Sequence, residues 1–562
     1  MVLTQTTFET LLQPYIGRGR EALLPILWDV QTAFGYISPE AVQSISYTLR
    51  VPEAEIFGVI GFYSLFYHEP TARRIVRVCT SPTCAIDGAH HTLERMCQHL
   101  KVSAGQPTDD GETLLEATEC LGLCDQSPAV LVSTQGQGES LHAKVYDGVA
   151  FLDNPQAFPY QNIFRSDVGI LIGNPTSPQP HYHALAKALA ENNPDGLIET
   201  VQQSGLIGRG GAAFPTGLKW KFTRATQSFP KYVVCNADES EPGTFKDRVL
   251  MEENPHLLLE GLAIAAYAIG ANKAYIFIRG EYPEATRILQ QAIDDAVAHN
   301  WLGDAIQGSA FSLDVEIRRG AGAYVCGEET ALFEAIEGKR GFPRIKPPYP
   351  TTNGLFDKPT VVNNVETLCN VPSIVLHGAD AYKHHGTEKS TGTKVISISG
   401  SVRQPGVVEI NPGLTLRTLL DEYCGGVVGE LQAVLMGGAA GVFMTPEEVD
   451  VPLTFEDLRA VGSTFGSGAI MVFNHEVDLV EVLQSLGHFF KHESCGKCFP
   501  CQLGTQRQHE ILHRLRAPIA GDAIRLADIG MTMTEASICG LGQTAATAVL
   551  SALKKFPHLF ME

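Results

Sequence analysis

The period of apolar and polar positions changes several times along the chain, and each change marks a segment with its own architecture. In residues 1–70 the stretch ALLPILWDVQTAFGYI carries apolar residues at helical spacing. Ser38-Pro39-Glu40 supplies a cap with proline at the first helical position, and Pro52-Glu53 opens another helix, so a helical lead-in is predicted. From Arg73 the pattern changes: RRIVRVCTS predicts a strand ending at Cys79, TCAIDGAHHTLERMCQHL a helix, and TLLEAT, PAVLVST and HAKVYDG short strands. That order suits a small α/β domain of thioredoxin type over residues 71–150.

Residues 151–200, with NPQAFPYQN and GNPTSPQPHYH, are rich in Pro, Asn and Gln and predict a linker and extension laid over the next unit. In residues 201–385, KYVVCN, KAYIFIRG and SLDVEIRRG read as strands separated by the helices LLLEGLAIAAYAIG and PEATRILQQAIDDAVAHN, an alternation that predicts a wound parallel sheet. Ligands of such sheets lie beyond the carboxyl ends of the strands, so the loops NADESEPGTFKDR, RGEYPE and RRGAGAYVCGEET should share one crevice. Residues 391–475, through KVISISGSVRQPGVVEI, LTLRTLLDEYCG and LQAVLMGG, predict a small β-rich domain. In residues 476–562, LVEVLQSLGHFFKHE, GTQRQHEILHRLRA and TAATAVLSALKKF are amphipathic helices, as in a helical bundle.

Charge and composition narrow the function. With 42 Lys plus Arg against 62 Asp plus Glu the net charge is −20, which repels phosphate backbones and disfavours nucleic-acid binding. The long apolar stretch at 261–271 is far shorter than the roughly 18 residues a membrane span needs, so no membrane insertion is expected. The first twenty residues lack a basic start, a long apolar run and a small-residue cleavage site, which predicts a cytoplasmic protein.

Thirteen cysteines in such a chain point to metal or redox roles rather than disulfides. Cys79 and Cys84 enclose four residues and Cys120 and Cys124 three, each pair just past a predicted strand end, so adjacent loops can present four thiolates to one centre. Cys495, Cys498 and Cys501 form C-x2-C-x2-C, and Cys539 follows in SICGLG as a remote fourth ligand. Four thiolates suit an iron–sulfur cluster or zinc, and the wider spacings of the first set favour a cluster. Cys97, Cys235, Cys326, Cys369 and Cys424 stand alone and are expected to be buried, inert thiols.

Other candidates are weaker individually. Gly208-Arg209-Gly210-Gly211 can turn tightly and aim N–H groups at a phosphate, with Lys219 behind it, although no strand precedes it and a structural turn is an equal reading. Asn236, Asp238, Glu239 and Glu241 follow a strand, where they could bind a ribityl chain, ribose or carboxamide, or form a solvated acidic turn. Glu328 and Glu329 open a helix whose N-terminus favours negative charge without any further role. Lys339, Arg340, Arg344 and Lys346 make a local anion site or an exposed basic loop, and Phe214, Phe222 and Tyr349 are candidates to stack on an adenine.

The motifs GRGGAAFPTGLKW, NADESEPGTFKDR, GAGAYVCGEETAL, PRIKPPYP, NNVET and ESCGKCFPC, in that order, resemble the flavin-bearing, NADH-oxidising subunit of respiratory complex I and its relatives over residues 170–562. VCTSPTC and ECLGLC resemble the ligand motifs of the 24-kDa thioredoxin-like [2Fe-2S] subunit of the same complex. Their fusion in one chain is similar to the large diaphorase subunits of cytoplasmic NAD-reducing [NiFe] hydrogenases; NAD-dependent formate dehydrogenases use related modules. The resemblance implies a multidomain α/β protein: a helical lead-in, a thioredoxin-like [2Fe-2S] domain, a Rossmann-like α/β FMN/NADH domain, a small β-grasp-like domain and a C-terminal helical bundle holding [4Fe-4S]. It implies FMN contacts from Gly208, Gly210, Lys219, Asn236, Asp238, Glu239, Tyr324, Gly327, Asn363 and Asn364, and nicotinamide near Glu241 and Glu329. The adenine would lie against Phe214, Phe222 and Tyr349 with Lys346 close by, and Cys79, Cys84, Cys120, Cys124, Cys495, Cys498, Cys501 and Cys539 would hold the clusters. Ala213, where the family commonly has Gly, should crowd the flavin edge. Neither a nickel motif pair nor a pterin domain is recognisable, so hydrogen or formate activation is expected in partners: a small iron–sulfur diaphorase subunit and [NiFe] hydrogenase subunits. The alternative of another class is a non-catalytic iron–sulfur or zinc scaffold.

Overall fold

Parallel strands whose ends coincide put every following loop on the same edge, and this register organises the centre of the molecule. The computed structural model describes residues 5–172 and 182–561; residues 173–181, the middle of the expected linker, lie outside the described residues. The helices Leu23–Phe34, Pro39–Leu49 and Glu53–Ile60 form the lead-in, the second of them capped by Ser38 as its sequence requires. Next come β1 (Arg74–Cys79), β2 (Thr113–Thr118), β3 (Val130–Thr134) and β4 (Gly138–His142), in the sheet order β2-β1-β3-β4, with β1 and β2 parallel. The last strand is GESLH and not the expected HAKVYDG. It pairs with β3 from Val130↔His142 to Thr134↔Gly138, whereas Lys144 takes a positive φ of 54° that ends extended structure.

The described part of 151–200 is not a linker. Its short strand β5 (Phe164–Ser166) joins a sheet formed much later in the chain, and His183–Glu191 and Pro194–Gln203 are helices whose apolar stripes pack on the central domain. The Pro and Asn content that suggested a linker serves to start and end these pieces, as where Asn193 caps the second helix and Pro194 opens it.

In the central domain β6 (Tyr232–Ala237), β7 (Lys273–Ile278), β8 (Asp314–Arg319) and β9 (Thr360–Asn364) form an all-parallel sheet in the order β8-β7-β6-β9. Ala237 pairs with Ile278 and Ile278 with Arg319, so the three following loops leave from one edge. The helix Pro255–Ile269 is apolar nearly all round and is correspondingly buried. Beyond it β10 (Lys394–Gly400), β11 (Gly406–Ile410), β12 (Leu431–Met436), β13 (Val442–Met444) and β14 (Ala469–Asn474) make the mixed sheet β13-β12-β14-β10-β11-β5. Within this small mixed domain the segment LTLRTLLDEYC is a helical turn. Four helices, Leu479–Glu493, Phe499–His513, Asp522–Ala536 and Thr547–Lys555, form the C-terminal bundle. Among the described residues no helix is long and apolar enough to cross a membrane.

The lead-in packs directly on the loop that follows β8. Trp28 Nε1 donates to Gly320 O at 3.1 Å, and the Arg319 guanidinium lies 3.8 Å from the centre of the Trp28 indole. Ser64 N and Leu65 N donate to Gly322 O and Ala321 O, and the Tyr63 hydroxyl donates to Lys339 O at 2.9 Å. Replacing Trp28 by Ala removes the indole from this joint, and a loss of about 3–5 kcal/mol is expected in the stability of the lead-in. Limited proteolysis followed through a denaturant titration will register it as early release of the lead-in; unchanged resistance counts against the joint.

Candidate active site

The glycine loop is held by its own backbone and by the helix after β9. Gly208 N donates to Phe214 O at 2.9 Å, Arg209 N donates to Thr367 Oγ1 at 2.9 Å, and Gly211 has a φ of 114° that a side chain would strain. A Cβ on Gly210 would come within 3.1 Å of the Asn364 Cβ, so glycine lets the loop lie against the end of β9. The Arg209 side chain points the other way, to Tyr382 Oη and Thr391 O. Ala213 sits at a φ of 52°, so its departure from glycine is felt first as backbone strain.

Lys219 donates to Val362 O at 3.0 Å and lies 3.6 Å from Glu329 Oε2. Lys346 bridges Glu328 and Glu329, at 2.8 Å from each. Burial alone would raise the Glu329 pKa, but these two ammonium groups hold it below the ordinary carboxylate value. The helix-capping role belongs to its neighbour: Glu328 Oε2 accepts from the N–H groups of Thr330 and Ala331. Glu329 is therefore free of the cap and faces two lysines. The rest of the basic loop is not an open anion site. Arg344 pairs with Glu334 and Glu337, Lys339 with Glu337, and Arg340 donates to Gly58 O. Phe214, Phe222 and Tyr349 are 43%, 49% and 59% exposed, apolar rings left open on the surface.

The loop after β6 is not a solvated acidic turn either. Asn236 Nδ2 donates to Gly327 O at 2.8 Å, tying this loop to the one after β8. Asp238 is half-buried, accepts from Ser240 through Oδ1, and leaves Oδ2 buried without a hydrogen-bond partner; desolvation pushes its pKa up to about 8. Glu239 turns away from the crevice and accepts from Asp247 N, Arg248 N and Tyr282 Oη, with burial raising it to about 8. Glu241 accepts from Ala440 N at 2.8 Å in the small β domain, and burial raises it to about 7. Asn363 Oδ1 accepts from Trp220 Nε1, while Asn364 caps its helix through Oδ1 and donates to Asp247 Oδ2 at 2.6 Å. Tyr324 lies 5.1 Å from Phe489 of the bundle, and its N–H donates to Glu493 Oε2.

Sequence alone thus locates the crevice but misses four of the groups that shape it. Glu493 stands directly before the C-terminal cysteine motif; Arg279 and Glu281 lie in RGEYPE, a loop expected at the crevice without either residue being singled out; Gly438 approaches Glu241 so closely that a Cβ there would lie 2.7 Å from the Glu241 carboxyl carbon.

All four thiols of the first set are buried: Cys79 ends β1, Cys84 sits in the helix Pro82–Ile86, Cys120 follows β2, and Cys124 opens a short turn. Cys120 Sγ and Cys124 Sγ are 3.4 Å apart, and Cys79 reaches both Cys120 and Cys84. In the bundle Cys498 occupies the N-cap of Phe499–His513 and Cys501 its first turn, while Cys495 and Cys539 flank them; burial pushes Cys501 up to about 12. The remaining cysteines are buried except Cys97, which is half-buried.

Three family descriptions match in sequence: the thioredoxin-like [2Fe-2S] ferredoxin over residues 8–149, the Nuo51 FMN-binding domain over 201–373, and the NADH-ubiquinone oxidoreductase-F iron–sulfur binding region over 481–562. The chain is 36% identical to NAD-reducing hydrogenase HoxS subunit alpha of Cupriavidus necator, across 98% of its own length and 93% of that protein's. It is 46% identical to one of the F-type subunits of NADH-quinone oxidoreductase from Rhizobium meliloti, across 68% of its length and 91% of the relative's. Among solved structures it resembles a chain of an NAD+-reducing [NiFe]-hydrogenase in the H2-reduced state, with a TM-score of 0.86, 34% identity, and coverage of 97% and 92%. The donor sets fit these groups: eight thiols in two fours, and beside the glycine loop a crevice with an unsatisfied Asp238 oxygen for a hydroxyl-rich ligand.

Behind the crevice Glu366 accepts from Lys246 and Lys394 at 2.8 and 2.7 Å, all three buried. Burial works to raise the Glu366 pKa, but the two lysines win and hold it at about 2. Glu366→Gln leaves two buried cations without their shared partner and is expected to cost about 3–5 kcal/mol. Because the folded pKa lies below the ordinary value, the contribution of Glu366 is complete above about pH 4.5 and fades as pH falls toward 2. Urea unfolding at pH 7 and pH 3 checks this: the gap between parent and variant should be wide at the first and narrower at the second.

Proposed function

Because the chain belongs to the family that unites HoxS-type alpha subunits of NAD-reducing hydrogenases with the F-type subunits of NADH-quinone oxidoreductases, we propose that it is a diaphorase subunit exchanging electrons between NAD(H), FMN, a [2Fe-2S] and a [4Fe-4S] cluster. The observation that carries the reading is the meeting of the loops after β6 and β8 beside the glycine loop, with Asn236 bound to Gly327 and an unpaired Asp238 oxygen between them. Held there, FMN would supply the link between two-electron hydride exchange with NAD(H) and one-electron exchange with the clusters.

The chain's own residues have no acid–base triad to supply; their work is alignment and charge. Gly210 offers an N–H group and Lys219 a cation to a phosphate, while Gly208 closes the turn through its bond to Phe214 O. Asn236, Asp238 and Gly327 line the ribityl side, with Tyr324, Asn363 and Asn364 closing it; Glu239 supports the loop from behind. Phe214, Phe222 and Tyr349 offer stacking faces to the adenine, with Lys346 beside them. Glu241 and Glu329 set the charge felt by the nicotinamide.

Fusion of the thioredoxin-like part to the flavin part, matched end to end by the hydrogenase alpha subunit, favours a hydrogenase over complex I or formate dehydrogenase, and the physiological direction is then NAD+ reduction at the expense of hydrogen. Hydrogen activation belongs to [NiFe] hydrogenase subunits, reached through a small iron–sulfur diaphorase subunit. Phe499 and Leu503, 76% and 55% exposed beside the C-terminal cysteines, offer an apolar face for that partner. A chain with thirteen cysteines, eight of them in two cluster motifs, fits the reducing cytoplasm.

The isolated chain loaded with FMN should reduce a viologen dye with NADH and consume no hydrogen; a colourless, flavin-free preparation that binds zinc would return the scaffold reading. Replacing any one of Cys495, Cys498, Cys501 or Cys539 by Ser should remove or alter the [4Fe-4S] signal and slow dye reduction, while stopped-flow absorbance still records flavin reduction by NADH. Loss of that fast phase in a folded variant contradicts separate roles.

Glu241, raised to about 7 by burial, is neutral below that pH and anionic above it. Affinity for NAD+, whose ring is cationic, should therefore strengthen between pH 6 and 8, and Glu241→Gln should flatten the profile. A titration of NAD+ binding by flavin fluorescence reads this directly, and an unaltered profile in the variant removes Glu241 from the site.

A further inference from the structure

Arg279 stands between the two redox modules. It follows β7 and is 3% exposed; its Nη1 donates to Glu239 O at 2.8 Å in the crevice loop, and its Nη2 donates to Cys120 O at 2.6 Å. Glu281 balances the charge from the same loop, 3.0 Å from Nη2 and 3.3 Å from Nε. The remainder of the contact is equally buried. Arg248 Nε donates to Gly122 O at 3.1 Å, and Gly122, at a φ of 69°, leaves no room for a Cβ beneath the Tyr282 hydroxyl. Arg248 is itself neutralised by Glu252 at 3.0 Å. The loop carrying Cys120 and Cys124 is thus seated on two buried arginines of the flavin domain, and among the described residues only Arg279 touches both that loop and the crevice loop through one guanidinium.

We propose that Arg279 tunes the reduction potential of the [2Fe-2S] cluster, holding it higher than the cysteine ligands alone would set it, and that Glu281 opposes this. The inference rests on Cys120 being a ligand of that cluster. One electron, supplied from NADH through the flavin, makes the cluster one unit more negative. A fixed cation on the ligand's own carbonyl, shielded from water, stabilises that added charge far more than an exposed one would. Arginine suits the position because its planar fork reaches two carbonyls at once and keeps its charge when buried.

The test is an EPR-monitored redox titration of the intact chain with both clusters and FMN. Arg279→Gln should lower the [2Fe-2S] potential enough to change the reduced-to-oxidised ratio about tenfold at a fixed potential, about 59 mV for one electron. Glu281→Gln, which leaves the cation unopposed, should move it upward. The [4Fe-4S] potential should stay in place in both, which separates tuning from general damage. Opposite shifts support the proposal; no shift in either, or shifts of the same sign, overturns it. If Arg279→Gln loses its cluster, the direction in Glu281→Gln decides alone. Cys120→Ser tests the ligand assignment separately, since it should abolish the [2Fe-2S] signal whatever Arg279 does.

Discussion

The register of β6, β7 and β8 is the constraint on which the rest of the molecule depends. With Ala237, Ile278 and Arg319 aligned, three loops must leave the sheet side by side, and each carries polar groups whose partners lie in other units. Neighbouring domains satisfy them. The lead-in bonds Ala321 and Gly322, the bundle offers Glu493 to Tyr324 N, the small β domain offers Ala440 N to Glu241, and the thioredoxin-like domain accepts Arg279 and Arg248. Four appended units thus meet the same edge, each through polar contacts with the loops or the helix that follows them.

This arrangement encloses the crevice and gives its carboxyl groups their character. Asp238, Glu241 and Glu493 are each shifted toward the neutral form by burial, to about 8, 7 and 7, whereas Glu329 and Glu366 are held ionised by paired lysines. Residue type alone does not distinguish them; what differs is whether an ammonium group shares the pocket. A raised carboxylate takes up protons on folding, so it costs stability as pH rises through its folded pKa. Groups that change protonation near neutrality are useful beside a reaction in which charge is transferred, and they cluster at this edge.

Local signals in the sequence were sufficient for the units and for the thiol sets, because cysteine spacing and strand or helix periodicity are short-range. They were insufficient wherever a partner came from a distant segment. Residues 151–200 looked like a linker because β5 is only three residues long and its partner, β11, lies more than 200 residues away in sequence. HAKVYDG alternates like a strand, but pairing with β3 selected the preceding GESLH. Glu328 and Glu329 were indistinguishable as helix-opening acids until the cap hydrogen bonds fell to the first and the lysines to the second. Arg279 was invisible for the same reason: an arginine in a polar loop announces nothing until the carbonyl of Cys120 is found against it.

The two cysteine sets differ in what supports them, and that difference bears on how electrons divide. The C-terminal set lies on a loop and first turn of a helix with exposed Phe499 and Leu503 beside it, half-open to a partner. The N-terminal set is buried and clamped to the flavin domain through Arg279, Arg248 and Tyr282, so a change in its charge is felt by the crevice loop across a buried contact. Electrostatic coupling falls steeply where water intervenes and persists where it does not. A cluster placed as the C-terminal set is suits delivery outward, and one placed as the N-terminal set is suits holding an electron in balance with the crevice.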